Sequence, residues 1–208
     1  MRRSTAVPTI LFAVLLAACS NPATDKPKAV TSEAAPSTPA QTAQGEKYLI
    51  TPQNSKIEWT ASKVTGSHRG SFEKFSGAIS YNGKPETSSV SINIETSSIK
   101  ADDPDLTKHL QTPDFFDVAK YPQATFVSTE IKAGGEKGAS HTITGNLTMH
   151  GVTKSVSFPA TIGVSPDAIT VESTFSINRK DFGINYAGAA NNLIRDEVVL
   201  ILHVRGTK

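Results

Sequence analysis

The stretch His109-Leu110-Gln111-Thr112-Pro113-Asp114-Phe115-Phe116-Asp117-Val118-Ala119-Lys120-Tyr121-Pro122-Gln123-Ala124-Thr125-Phe126 changes character along its length. It opens polar, carries Leu110, and then sets two aromatics side by side at Phe115 and Phe116. Successive side chains on a strand point to opposite faces, so one ordinary strand cannot bury both rings. A short helical turn can, and the pair is expected to lie like a lid against an apolar interior. Tyr121-Pro122 follows, and then a strand carrying Phe126. Upstream, Asp102-Asp103 before Pro104 is the one good helix start, with an acidic cap and proline at the first helical position. It predicts a short helix towards Leu110, so helix and turn together fill about 103–118.

On both sides of this segment period-two alternation dominates. Ile57, Trp59 and Ala61 share a face, as do Val90, Ile92 and Ile94. Ile143, Leu147 and Met149 form a third set with Gly145 among them, and Val156, Phe158, Ala160 and Ile162 a fourth. Val171, Phe175 and Ile177, with Ser173 between, form a fifth, and Val198, Leu200, Leu202 and Val204 a sixth. Less regular strands fit 72–81 and 125–131, and a short first strand fits 48–50. Asn82-Gly83, Gly134-Gly135 and His150-Gly151 supply the turns between them. About eight or nine strands joined by short turns argue for an all-β fold. The simplest form is an antiparallel, roughly eight-stranded barrel, whose closure removes exposed edges. Such a barrel is filled by its own side chains or holds one small ligand. Small inward residues (Ala61, Gly145, Ala160, Ser173) suit a channel, but they equally suit a filled core in which they offset phenylalanine rings. Periodicity does not decide between the two.

The N-terminus reads as a targeting segment. Arg2 and Arg3 precede an apolar run centred on residues 10–16, too short to span a bilayer as a helix. The run ends in Leu16-Ala17-Ala18-Cys19, which resembles a bacterial lipoprotein signal, with Cys19 acylated as the first mature residue. Cys19 is the only cysteine, so neither an intramolecular disulfide nor a cysteine metal cluster is available. Two acyl chains suffice for stable anchoring. In lipoproteins of this kind an aspartate after the cysteine commonly retains the protein on the inner membrane, so Ser20 points to the periplasmic face of the outer membrane. Residues 20–46 are rich in Pro, Ala, Thr, Ser and Gln and cannot bury enough apolar surface to offset chain entropy. They are expected to form a disordered tether with a span of roughly 30 Å. The organisation is thus a signal at 1–18, an anchor and tether at 19–46, and one domain at 47–208.

The formal charge of +2 includes Arg2 and Arg3, and without them the chain is nearly neutral. No basic patch of the kind nucleic acid requires is present. None of His68, His109, His141, His150 and His203 stands at i, i+4 helix spacing with another, and no His-Glu-x-x-His or Gly-x-Ser-x-Gly occurs. His109 reads as orienting the helical turn and His150 as a turn residue beside Gly151. The acids around Pro104 do not match a calcium-binding loop, and helix capping explains them more cheaply. Arg179 reads as a structural arginine in a corner Asn178-Arg179-Lys180-Asp181-Phe182-Gly183 that fixes a bend, paired with Asp181 or Glu73. Arg69 is the candidate for contact with a polar head group at a barrel mouth.

Four segments between Ser55 and Arg205 resemble the YceI-like family. They are Ser55-Lys56-Ile57-Glu58-Trp59 with Arg69-Gly70-Ser71-Phe72 and Phe75-Ser76-Gly77; His109-Leu110 through Phe115-Phe116-Asp117 to Tyr121-Pro122 and Phe126; Gly145 to Lys154; and Asn178 to Gly183. Thr107, Ser155 and Trp59 depart from the usual pattern, where an acid, a proline and a phenylalanine are more common. The resemblance implies a lipocalin-like barrel with an elongated apolar tunnel for a polyisoprenoid, a quinone tail or another long-chain amphiphile. It implies no cofactor, no metal and no catalysis. With the alternating faces, it sets the expected tunnel wall as Ile57, Trp59, Phe72, Ile92, Ile94, Leu110, Phe115, Phe116, Phe126, Leu147, Phe158, Ala160, Phe175, Ile177 and Phe182. The physics agrees, because a prenyl tail needs only a dry apolar sleeve, at roughly 25 cal/mol per Å² buried. The competing expectation is an interaction module of an envelope-stress or membrane redox system with a filled barrel. A homodimer is compatible with either.

Overall fold

Strands that alternate apolar and polar side chains pair neighbour to neighbour here, and the pairing closes on itself. A computed structural model describes residues 21–36 and 45–208. Its strands are β1 (Val30–Glu33), β2 (Glu46–Ile50), β3 (Lys56–Lys63), β4 (Gly66–Phe72), β5 (Phe75–Asn82), β6 (Lys84–Glu95), β7 (Ile99–Ala101), β8 (Gln123–Ala133), β9 (His141–Met149), β10 (Val152–Val164), β11 (Ala168–Asn178), β12 (Gly188–Ala189) and β13 (Asn192–Thr207). β2 and β3 run on from each other along one edge of β13, β4 and β5 follow along β3 and β2, and β7 and β6 along β4 and β5. Each of these pairs is one long stave with a short break. With β8, β9, β10, β11 and β13 they make an antiparallel barrel of eight staves, closed where β13 also pairs with β11. The all-β barrel expected from the sequence is the fold observed.

Local chemistry sets the turns. His150 and Gly151 both have positive φ (51° and 75°), the requirement of the two-residue hairpin whose twist matches that of strands. Helix α1 (Pro104–Leu110) starts as expected: the Asp103 side chain accepts from the Leu106 amide at 2.8 Å, and Pro104 occupies the first turn. Tight turns then reverse the chain, with the Phe115 amide donating to the Thr112 carbonyl and the Phe116 amide to the Leu110 carbonyl. Both rings are thereby brought over one end of the barrel, the mouth, where the β3–β4 hairpin and the loop from β11 to β13 also lie. The opposite end is closed by packing. Tyr48 is buried there, its hydroxyl donating to the Pro166 carbonyl at 3.2 Å or to Glu46 at 3.0 Å.

The barrel has one seam. β11 pairs with β10 only between 161–164 and 169–172, then follows β13 for its whole length. The freed edges are taken up by residues 27–33. The Ser176 amide donates to Pro27 and the Ala29 amide to Ser176, each at 2.8 Å. β1 then pairs antiparallel with β10 at 154–157, Lys154 meets Glu33 at 2.6 Å, and the Asn146 amide bonds the Ala35 backbone in both directions at 3.0 and 3.1 Å. This corrects the expectation of a disordered tether for residues 21–36. Composition argues against a packed core, but an edge strand is held by backbone hydrogen bonds and needs few apolar side chains. The rest of the expected signal and tether lies outside the described residues.

Deleting residues 21–36 should therefore destabilise the domain. Several backbone hydrogen bonds at about 1 kcal/mol each correspond to a fall in melting temperature of roughly 5 °C or more. Amide exchange at 154–157 should accelerate while the β8–β9 ladder stays protected; unchanged exchange at 154–157 would show that the segment does not hold the seam.

Candidate ligand-binding site

The inward faces of the staves do not meet at the barrel's centre. They leave a cavity of about 180 Å³ whose wall presents no polar atom. Thirteen of the fifteen expected residues line it, all except Ala160 and Phe182. Phe158 and Phe175 stack with centroids 4.2 Å apart and an 8° interplanar angle, and Phe126 leans on Phe158 at 5.7 Å. Phe116 meets Phe72 edge-on at 5.7 Å.

The small inward residues are largely not there to leave room. A Cβ on Gly145 would lie 2.4 Å from the Phe126 ring, so this glycine receives a ring lying flat against the sheet. Gly70 does the same for Trp59, whose ring would be 2.5 Å from an added Cβ. The Ser173 hydroxyl is used up on the Pro159 carbonyl at 2.5 Å. Ala160 is 1% exposed and packed, opposite His141 at the closed end; it has the right strand face and the wrong depth. Only Ala61 of the four lines the cavity. Phe182 is 0% exposed, inside the corner after β11, so its placement in the tunnel wall is also corrected. The wall further includes Val198, Leu200, Leu202 and Val204 of β13, a face legible in the alternation, and Ile99 and Ile184, which sit in a three-residue strand and a loop with no period to read.

At the mouth the cavity meets a second, partly polar space of about 230 Å³. Trp59, Ala61, Leu110, Phe115 and Ile194 line both and form the neck between them. His68, His109, Tyr186 and Asn192 line this vestibule. His68 Nδ1 lies 2.9 Å from Asp102 Oδ1, and His109 Nε2 lies 2.8 Å from Asp114 Oδ2. The His109 ring packs edge-on against Phe115 and Tyr186 at 5.0 and 5.1 Å, so it does orient the turn, and it faces the vestibule as well. Burial acts to raise the Asp102 carboxyl, but the His68 hydrogen bond and the Arg69 amide outweigh it and hold it below the ordinary aspartate value. Exposed Val64, Tyr186 and Leu193 surround this end. Arg69 does not contribute. Phe72, Gly70 and His68 share the inward face of β4, so Arg69 turns outward and is exposed, which corrects its assignment as a head-group contact.

Arg179 is structural, as expected, with different partners. At 4% exposure its guanidinium donates to the carbonyls of Ile184 (2.6 Å), Arg195 (3.2 Å) and Ile194 (3.4 Å), and it reaches Asp196 at 3.4 Å rather than Asp181 or Glu73. Burial lowers its pKa from the ordinary arginine value, and Asp196 pushes back. The Asn178 side chain accepts from the Lys180 amide, and Gly183 closes the corner at φ 75°. Among the described residues no group of three or more His, Cys, Asp or Glu side chains is placed to share a metal ion.

A barrel with an apolar interior and one polar mouth is of lipocalin-like build. The YceI-like domain matches residues 48–205, and the chain belongs to that family. It is 39% identical over 150 residues to a UPF0312 protein of Pseudomonas putida, covering 68% of this chain and 77% of that one. Its fold is similar to that of BcnA from Burkholderia cenocepacia, with a TM-score of 0.65 and 26% identity over 76% of this chain and 99% of that one. It is also similar to a polyisoprenoid binding domain from Saccharophagus degradans, with a TM-score of 0.62 and 18% identity over 77% and 97% of the two chains.

The two arginines give opposite expectations. Arg179→Met strands three carbonyls in a buried corner and should cost about 3 kcal/mol or more. Arg69→Ala should change stability by less than about 0.5 kcal/mol. Urea unfolding measures both, and equal stability of the two variants would contradict these placements.

Proposed function

We propose that the protein holds a polyisoprenoid or another long-chain amphiphile, tail in the barrel cavity and head in the vestibule, and catalyses nothing. The observation that carries this reading is the cavity itself. About 180 Å³ of apolar space unfilled by the protein's own side chains would cost roughly 4 kcal/mol at the usual penalty per Å³. That is a large share of the stability of an ordinary domain. A chain of CH₂ and CH groups offsets it without any polar constellation in the wall. The Saccharophagus domain that shares the fold is a polyisoprenoid binding domain, which supports the same reading. A filled-barrel interaction module has no use for this space.

In this proposal the protein is exported and anchored through acylated Cys19 at the periplasmic face of the outer membrane. Asn21, the start of the segment that runs up to the barrel's seam, follows Cys19 by two residues. The anchored barrel therefore rides close to the lipid surface rather than at the end of a long leash, which suits a protein that takes its ligand from a membrane.

Organic extraction of the purified protein followed by mass spectrometry should recover a long-chain lipid. Ala61→Phe narrows the neck and should emerge without that lipid. Its delipidated form should melt within about 2 °C of delipidated wild type, because the new ring enters open space. In a filled barrel the same change would overpack the core and lower the melting temperature by roughly 3–10 °C, with no lipid in either protein. For the anchor, Cys19→Ser should abolish incorporation of labelled fatty acid, and equal labelling of mutant and wild type would end the lipoprotein reading.

A further inference from the structure

A polar group at the neck has no use in the folded chain. Trp59 is 6% exposed, and its indole Nε1 is buried with no hydrogen-bond partner among the described residues. Leaving a buried donor unmade is costly, and native proteins leave few such groups. Trp59 lines both the tunnel and the vestibule. Around it His68 is held by Asp102, His109 by Asp114, and the Asn192 side-chain oxygen accepts from Thr65 at 2.7 Å. A phenylalanine at position 59 would supply the same apolar wall without the unmet N–H.

We infer that Trp59 is a specificity-determining residue: its indole N–H donates to an acceptor oxygen on the first atoms of the ligand's head group. The inference rests on the amphiphile-binding reading and deepens it. It names the ligand class as a tail ending in a neutral ether, carbonyl or hydroxyl oxygen, rather than a pure hydrocarbon. An oxygen at the neck lies between the wholly apolar wall below and the His68, His109 and Tyr186 side chains above, so the donor marks the depth at which the polar part begins. The N–H is covered in the unliganded chain, so donation goes with a small shift of the indole as the ligand enters the neck. A multiply charged head fits less well, because each vestibule histidine already has a carboxylate and Lys63 is the one lysine or arginine among the lining residues.

The test uses the full-length protein and two probes, a C20 prenyl methyl ether, which can only accept, and the C20 hydrocarbon of the same skeleton. The ratio of their affinities should fall about 3–10-fold on going from wild type to Trp59→Phe, the loss of one hydrogen bond, with hydrocarbon affinity unchanged. Trp59 is the only tryptophan in the chain, so a single indole N–H resonance reports on the same event without any mutation. It should move downfield with the ether and not with the hydrocarbon. An unchanged ratio, or an indole resonance that responds alike to both probes, overturns the inference while leaving the tunnel reading intact. Wild-type protein that binds neither probe removes both.

Discussion

The closure of the backbone ladder comes before everything else in this molecule. β13 pairs with β11 on one edge and with β2 and β3 on the other, and that ring of hydrogen bonds sets the circumference of eight staves. The inward side chains must then fill whatever the ring encloses. Near the closed end they do, with Tyr48, Ile79, Ile131 and Ala160 all buried. Towards the mouth the largest side chains are used differently. Phe126 lies flat against Gly145 and Trp59 against Gly70, so these rings thicken the wall instead of crossing the centre. A barrel rich in aromatics thus stays open because glycines on the neighbouring strand let the rings lie down.

That arrangement reverses the simplest argument from residue size. Small inward residues suggest room for a ligand, yet Gly145, Ala160 and Ser173 are covered by a ring, by packing and by a hydrogen bond to Pro159. The eight staves and the inward face of nearly every wall residue were legible, because parity along a strand is a local property. Depth along the barrel axis is not local, which is why Ala160 was misplaced. Arg69 could have been placed by parity alone, since it is an odd step from Phe72. Residues 27–33 were missed for another reason: their attachment is made by the main chain, and main-chain hydrogen bonds leave no mark on composition.

The seam follows from the same closure. A strand that bends to follow β13 cannot also stay beside β10, and β11 leaves it after four paired positions. The chain upstream of the domain repairs the gap, with Pro27 to Ala29 against Ser176 and β1 against β10. A stretch that would otherwise be a spacer is therefore part of the wall, and the position of the N-terminal end is tied to one flank of the barrel.

The distribution of polarity completes the picture. Within the tunnel wall Arg179 is the one ionisable side chain among the described residues, and its guanidinium is turned into carbonyls of the corner behind it. At the mouth two ionisable groups are held by carboxylates, His68 by Asp102 from the approach to α1 and His109 by Asp114 from the turn after it, and Lys63 also lines this end. Ala61, Leu110 and Ile194 set the width of the neck, and the unmet donor of Trp59 lies beside them. Under the proposed amphiphile-binding function, such a neck reads the last few atoms of a long molecule and asks of the tail beyond them only that it be apolar.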